Sequence, residues 1–224
     1  MSTRRAAEGV SLVLVAALGA VFSSNFLLDL VFADTQDWTS VISVLEVSEG
    51  HPRVLLRVTD VLCGVLVVLL LPYVHAALPT GRWQSWTMVS TVVYALAGAG
   101  AALVTLPCAD QQMCTSPAAD VQRFVHDGFS IVSQAALFVA VVAVGLATRH
   151  RGPRWLRRAA WTVFLLGGVA GTLISGYFTL TAPGGWQTGV AQRFQLAVVS
   201  VWIVCLGVYA ATSGLRARRD DASR

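Results

Sequence analysis

Six stretches of this chain are each long and apolar enough to cross a lipid bilayer, and nothing else limits its fold as strongly. They run over 10–32, 58–78, 87–106, 125–148, 159–180 and 194–212. A span needs about 20 mainly apolar residues. Lipid offers the backbone no hydrogen bonds, so only helices and closed barrels cross it. Apolar runs of this length predict helices. Composition agrees: 55% of residues are hydrophobic and 12% charged, against roughly 25% charged in a soluble domain. The expected fold class is all-α, a polytopic membrane protein with a bundle of six transmembrane helices forming one domain over 1–224. The connections are short, and no second domain, low-complexity segment or internal repeat is visible.

Arginine placement predicts orientation. Six spans put both termini on one side. That side carries 12 of the 16 basic residues, all of them arginine, including the cluster Arg149, Arg151, Arg154, Arg157 and Arg158. The other side has Arg53, Arg57, Arg123 and Arg193. Positive residues stay inside, so both termini are expected to be cytoplasmic and the host a plasma membrane. Acidic residues divide the other way, giving +9 inside and −5 outside. The basic balance is thus a topology signal that suits anionic lipid, and no nucleic-acid partner is expected. Trp83, Trp86, Trp155 and Trp161 fall at inner helix ends, and Trp38 and Trp186 in outer loops, as interfacial anchors do. Val31-Phe32-Ala33 resembles a signal cleavage site. The apolar run before it exceeds the about 7–15 residues of a signal core, so a retained first helix is expected.

The loop PCADQQMCTSPAAD places Cys108 and Cys114 six residues apart on the exported side. That compartment is oxidising, which favours a disulfide over a metal pair. Cys63 and Cys205 lie within spans and read as packing residues. Gly167, Gly171 and Ser175 recur every four residues, a spacing that lets helices approach closely in lipid.

The stretch RFVHDGFSIVSQAALFVAVV, from Arg123, is polar at one end only. At 100° per residue, Ser133, His126, Ser130, Arg123, Gln134 and Asp127 share an arc of roughly 120°. Lipid would not tolerate that stripe, so it must face the bundle interior or a water-filled cavity. Other helices are polar at the same end: Asn25 and Asp29 in the first, Arg57 and Asp60 with Gly64 in the second, Ser175 and Thr179 in the fifth, and Gln192, Arg193 and Gln195 in the sixth. In the inner halves only Tyr73 and His75 compare. A shared polar pocket in the outer leaflet is expected.

Three uses of such a pocket remain open. It binds a membrane lipid, a lipid-linked ligand or a membrane-protein partner, with Arg57, Arg123, Gln192, Arg193, Asp29, Asn25, Ser133 and Gln134 as ligand-binding candidates. Or it is an outer-leaflet hydrolase or transferase, with His126 as general base or acid near neutral pH. Asp60 or Asp127 would orient the ring, Ser130 would be the candidate nucleophile, and Arg57 and Arg193 would clamp an anion. No G-x-S-x-G motif supports this, and Ser43, Ser48, Ser175 or a water could replace Ser130. Or it is a small transporter, which would need polar groups in the inner half as well. Arg57–Asp60 could also simply pair and pin the helices. Catalytic zinc takes about three protein ligands, whereas His51 and His126 are the outward histidines. No metal is expected, and with no Walker, Rossmann, CxxC or HExxH motif, no cofactor either.

Three landmarks occur in order: SVLEVSEGHPRVLLRVTDVLCG before and into the second helix, PCADQQMC…VHDGFS before the fourth, and TGVAQRFQ at the sixth. In this arrangement the chain resembles the bacterial domain-of-unknown-function 998 family of six-helix integral membrane proteins. The resemblance covers most of the chain and implies family positions at Ser43, Gly50, Pro52, Arg57, Asp60, Gly64, His126, Asp127, Gln192 and Arg193. The Cys-bounded loop departs from a Pro-x-Asp-type segment seen in related sequences. The resemblance implies no activity.

Overall fold

A computed structural model describes residues 3–28, 40–47, 53–108, 114–182 and 186–222, with side chains from residue 7 to residue 213. Among the described residues every regular element is a helix. In chain order these are α1 (Thr3–Ser23), a 3-10 turn (Asn25–Leu28), α2 (Ile42–Leu45), α3 (Arg53–Ala77), α4 (Arg82–Leu103), α5 (Pro117–Ala147), α6 (Arg154–Thr181) and α7 (Trp186–Ala222). Helices α3 to α7 are each long and apolar enough to cross a membrane, and α1 carries a shorter apolar run, Ala7–Ser23. The chain is an all-α, multi-pass membrane bundle. Neighbours pack in the order α1, α3, α4, α5, α6, α7 and back to α1, with α3 also against α7.

Several helices start earlier than the apolar runs suggest, with polar first turns, and in α5 the start is stabilised locally. In α5 the hydroxyl of Ser116 accepts from the Ala119 amide at 3.2 Å and Pro117 takes the first position. A side-chain cap and a proline suit the place where helical amides lack partners. The first expected span, 10–32, behaves differently. Its helix stops at Ser23, and the chain turns so that Asn25 can reach α3. Asp29 and the rest of that expected span, with Ser48, Gly50, His51 and Pro52, lie outside the described residues.

The dry core occupies one half of the bundle. Leu70, Val74, Val141, Val144, Leu156, Trp202 and Ile203 are buried there with almost no exposure. Outward faces are apolar as well: Leu69, Leu96, Leu103, Ile131, Leu173 and Leu180 are all exposed. Water would penalise such a surface, and hydrocarbon does not. Helix α6 contains a π-helical segment, Phe164–Gly171. The buried Gln195 of α7 donates to its Gly167 carbonyl at 2.9 Å, which satisfies an acceptor that the irregular turn leaves out of the α ladder.

Close approach of α1 and α7 depends on Gly207, where a methyl group would overlap Ala16 and come within 3.2 Å of the Leu12 carbonyl. Gly207→Ala is expected to cost about 1–3 kcal/mol, as overpacking does. Gly128→Ala, which meets nothing within 4 Å, is the control. Thermal unfolding in detergent checks this: a lowered midpoint for the first variant and an unchanged one for the second.

Candidate functional site

Cys108 and Cys114 form a disulfide in the connection between α4 and α5. Polar side chains gather at this disulfide end around a cavity of about 180 Å³. Its wall is built from Ser23 of α1, Asn25 of the turn, Ser43 and Glu46 of the α2 segment, Asp60, Cys63 and Gly64 of α3, Tyr94 and Gly98 of α4, four polar residues of α5, and Gln192 of α7. Small residues make the room. A methyl at Gly64 would come within 3.2 Å of the Ala95 carbonyl, and one at Gly98 within 3.3 Å of the Ser133 hydroxyl.

Two carboxyl groups define the electrostatics. Asn25, 2% exposed, donates through Nδ2 to Asp60 Oδ1 at 2.6 Å and also meets the Leu56 carbonyl and the Thr59 hydroxyl. The Glu46 side chain, 4% exposed, is hydrogen-bonded to Asp60. Carboxylates only accept, so this contact requires a proton between them. Burial, and then the neighbouring Asp60 charge, push the Glu46 carboxyl up to about 9, with Arg57 opposing. The alternative of a neutralising Arg57–Asp60 pair is not the arrangement found. Arg57 Nη2 instead donates to the Glu46 carbonyl at 2.9 Å, tying the α2 segment to α3.

His126 is buried, and its Nδ1 lies 2.8 Å from the Val104 carbonyl and 3.1 Å from that of Ala101. Both neighbours are acceptors, so Nδ1 carries the proton. The ring thereby caps the C-terminus of α4. Backbone carbonyls, rather than Asp60 or Asp127, set its orientation, and Nε2 makes no hydrogen bond among the described residues. Ser130 lines the same cavity but forms no hydrogen bond to the ring. Ser133 donates to the Tyr94 carbonyl at 3.0 Å. Tyr94 in turn hydrogen-bonds Cys63. Gln134 reaches the wall with its Nε2 buried and without a partner among the described residues.

Of the α5 stripe, His126, Ser130, Ser133 and Gln134 line the cavity. Asp127, at the edge of the arc, is exposed and outside the wall. Arg123 shares the arc but lies one turn nearer the helix start, and is not among the lining residues. From α7, Arg193 is 4% exposed and donates to the carbonyls of Ser40 at 2.6 Å and Gly189 at 3.2 Å. Gln192 Oε1 accepts from the Ile42 amide at 2.8 Å. These two residues hold segment 40–47 over the cavity. Neither Ser175 nor Thr179 of α6 lines it. Among the described residues no group of three or more His, Cys, Asp or Glu side chains could hold a metal ion.

Ser23, Glu46 and Tyr94 are polar wall residues that the sequence reading missed. Glu46 had a signal: it is the single charged residue in the mainly apolar run VISVLEV. A carboxylate buried by such a run needs a partner. Tyr94, in a helix with no polar stripe, had none.

Glu46 makes stability depend on pH. Its folded carboxyl titrates near 9 rather than 4.5. Between those values the folded protein keeps a proton that the unfolded chain releases, so stability falls as pH rises through the window. Glu46→Gln keeps the shape without the ionisation. Its thermal midpoint, relative to wild type, is expected to rise from about pH 5 to about pH 8. An unchanged difference between the two proteins would count against the buried pair.

No curated protein and no solved structure matches the chain. A family model described as "Protein of unknown function (DUF998)" matches residues 14–209. That match spans most of the sequence and every wall residue of the cavity. The chain belongs to the DUF998 family.

Proposed function

We propose that the chain is a multi-pass plasma-membrane protein of bacterial type, with cytoplasmic termini, whose cavity binds a membrane lipid or lipid-linked molecule by its polar part. Arginine placement supports the orientation, with the arginine-rich side inward and the disulfide end in an oxidising compartment. The observation that carries the binding reading is the cavity itself. Four membrane-spanning helices, α1 and a clamped loop enclose a cavity of about 180 Å³ at one end, with polar side chains in its wall. A bundle that needed only internal pairing would have closed that space, since interiors pack to near-crystal density. The remaining half of the core is apolar and tight, which disfavours a path through the membrane.

A second reading is an outer-leaflet hydrolase or transferase. His126 favours it: Nδ1 is fixed by two carbonyls, leaving Nε2 as the nitrogen that could take a proton from a water or hydroxyl. The arginines do not favour an anion clamp, because Arg57 and Arg193 are engaged with backbone carbonyls.

Lipid mass spectrometry of the purified protein tests both readings. Ser130 lines the cavity yet is exposed, so Ser130→Leu adds bulk at the wall with little strain. Wild type is expected to carry a defined lipid species that Ser130→Leu loses and Gly128→Ala retains. If the same lipids accompany all three proteins, the binding reading fails. Under the enzymatic reading His126→Ala retains the lipid unprocessed; identical lipids in that variant and wild type would remove His126 from catalysis.

A further inference from the structure

The charge of the cavity wall narrows what the cavity can take. Among the described residues lining it there is no arginine, and its acidic groups are Glu46 and Asp60. Glu46 Oε2 is buried and finds no hydrogen-bond donor among the described residues. The charged neighbour behind the pair is Arg57, which faces Glu46 from α3. Taken by themselves, two ionised carboxylates and the Arg57 guanidinium sum to one negative charge. Burying an uncompensated charge is costly, so the site calls for one more positive charge. A proton on the pair meets that need when no other cation is bound.

We infer that the cavity binds a protonated primary amine, which enters in exchange for the proton shared by Glu46 and Asp60. The inference rests on the cavity-binding reading above and names the chemistry of its ligand. Charge balances: one ammonium enters, one proton leaves, and two carboxylates then face two cations. An ammonium carries three N–H donors and no acceptor. The carboxylates would take two, and the hydroxyls of Ser43 and Ser130 or the Gln192 amide lie in the same wall for the third. A phosphate would instead meet two carboxyl groups and no wall arginine. A metal ion would lack a third ligand of the usual kind among the described residues.

The other titratable groups around the pair come from each element that packs on it. Cys63 lies on α3, Tyr94 on α4 and His126 on α5. Arg193 on α7 holds Ser40 at the start of the segment that carries Glu46. Burial of Glu46 agrees with a proton resident on the pair at neutral pH. The amine could be free or the head group of a lipid, and both offer the same N–H donors.

The test uses the full chain in phosphatidylcholine nanodiscs, whose quaternary head groups have no N–H to donate. Proton release is followed with an indicator dye in two arms: addition of ethanolamine, and lipid exchange that introduces phosphatidylethanolamine. Release of one proton per chain in either arm, absent in Glu46→Gln, is the expected result, and the arm that gives it names the source. In that arm affinity is expected to rise about tenfold per pH unit while the pair holds its proton, the slope of one-for-one exchange. Thermal unfolding of Glu46→Gln verifies that the variant is folded. No proton release in either arm, or release that persists in folded Glu46→Gln, overturns the inference. Should Ser130→Leu still lose a co-purified lipid while no amine releases a proton, the cavity binds by other chemistry and only this inference falls. Should neither effect occur, both readings fall.

Discussion

Hydrocarbon supplies no hydrogen bonds, and every polar side chain within this bundle must therefore find its partner in the protein. That constraint explains the local geometry. Thr59, Thr87, Thr91 and Ser200 return their hydroxyls to carbonyls of their own helices. Gln195 serves the irregular π segment. His126 serves the frayed end of α4. Asn25 serves α3 through three contacts at once. Among the polar atoms these pairings do not use, a glutamate oxygen and a glutamine amide nitrogen lie on the cavity wall at the disulfide end.

The α2 segment converts that residue of unmet bonding into a site. It is too short to fold alone, since isolated helices of fewer than about 12 residues are marginal. Its position is set from outside, by Arg57 on the Glu46 carbonyl, Arg193 on the Ser40 carbonyl and Gln192 on the Ile42 amide. Ile42 and Leu45 then bury their side chains, and Glu46 is carried into contact with Asp60. Two arginines that a ligand-centred reading would place in the pocket are instead the fastenings of its cover. This division of labour leaves the wall acidic.

The sequence was most informative where period and length decide. Lengths of apolar runs located α3 to α7, and the 100° rotation per residue brought His126, Ser130, Ser133 and Gln134 to one face, where the structure has them lining the cavity. It was less informative where the answer depends on contacts distant in the chain. Nothing local distinguishes an arginine that clamps a backbone carbonyl from one that binds an anion, which is why the sequence offered Arg57 and Arg193 as ligand-binding residues. Asp60 and Asp127 look equivalent in sequence; one is joined to Asn25 and Glu46, and the other is exposed. The start of α5 extended past its apolar run because its cap, Ser116–Pro117, is polar by nature.

Glu46 carries the account, since the cover, the acidic wall and the shared proton all meet at its side chain. Infrared spectroscopy of the membrane-embedded protein at neutral pH tests it directly, because a protonated carboxyl has a carbonyl stretch that a carboxylate lacks. Wild type is expected to show such a band, and Glu46→Gln to lose it. Identical carbonyl regions in the two folded proteins would mean that Glu46 is ionised, and the buried carboxyl pair would have to be abandoned.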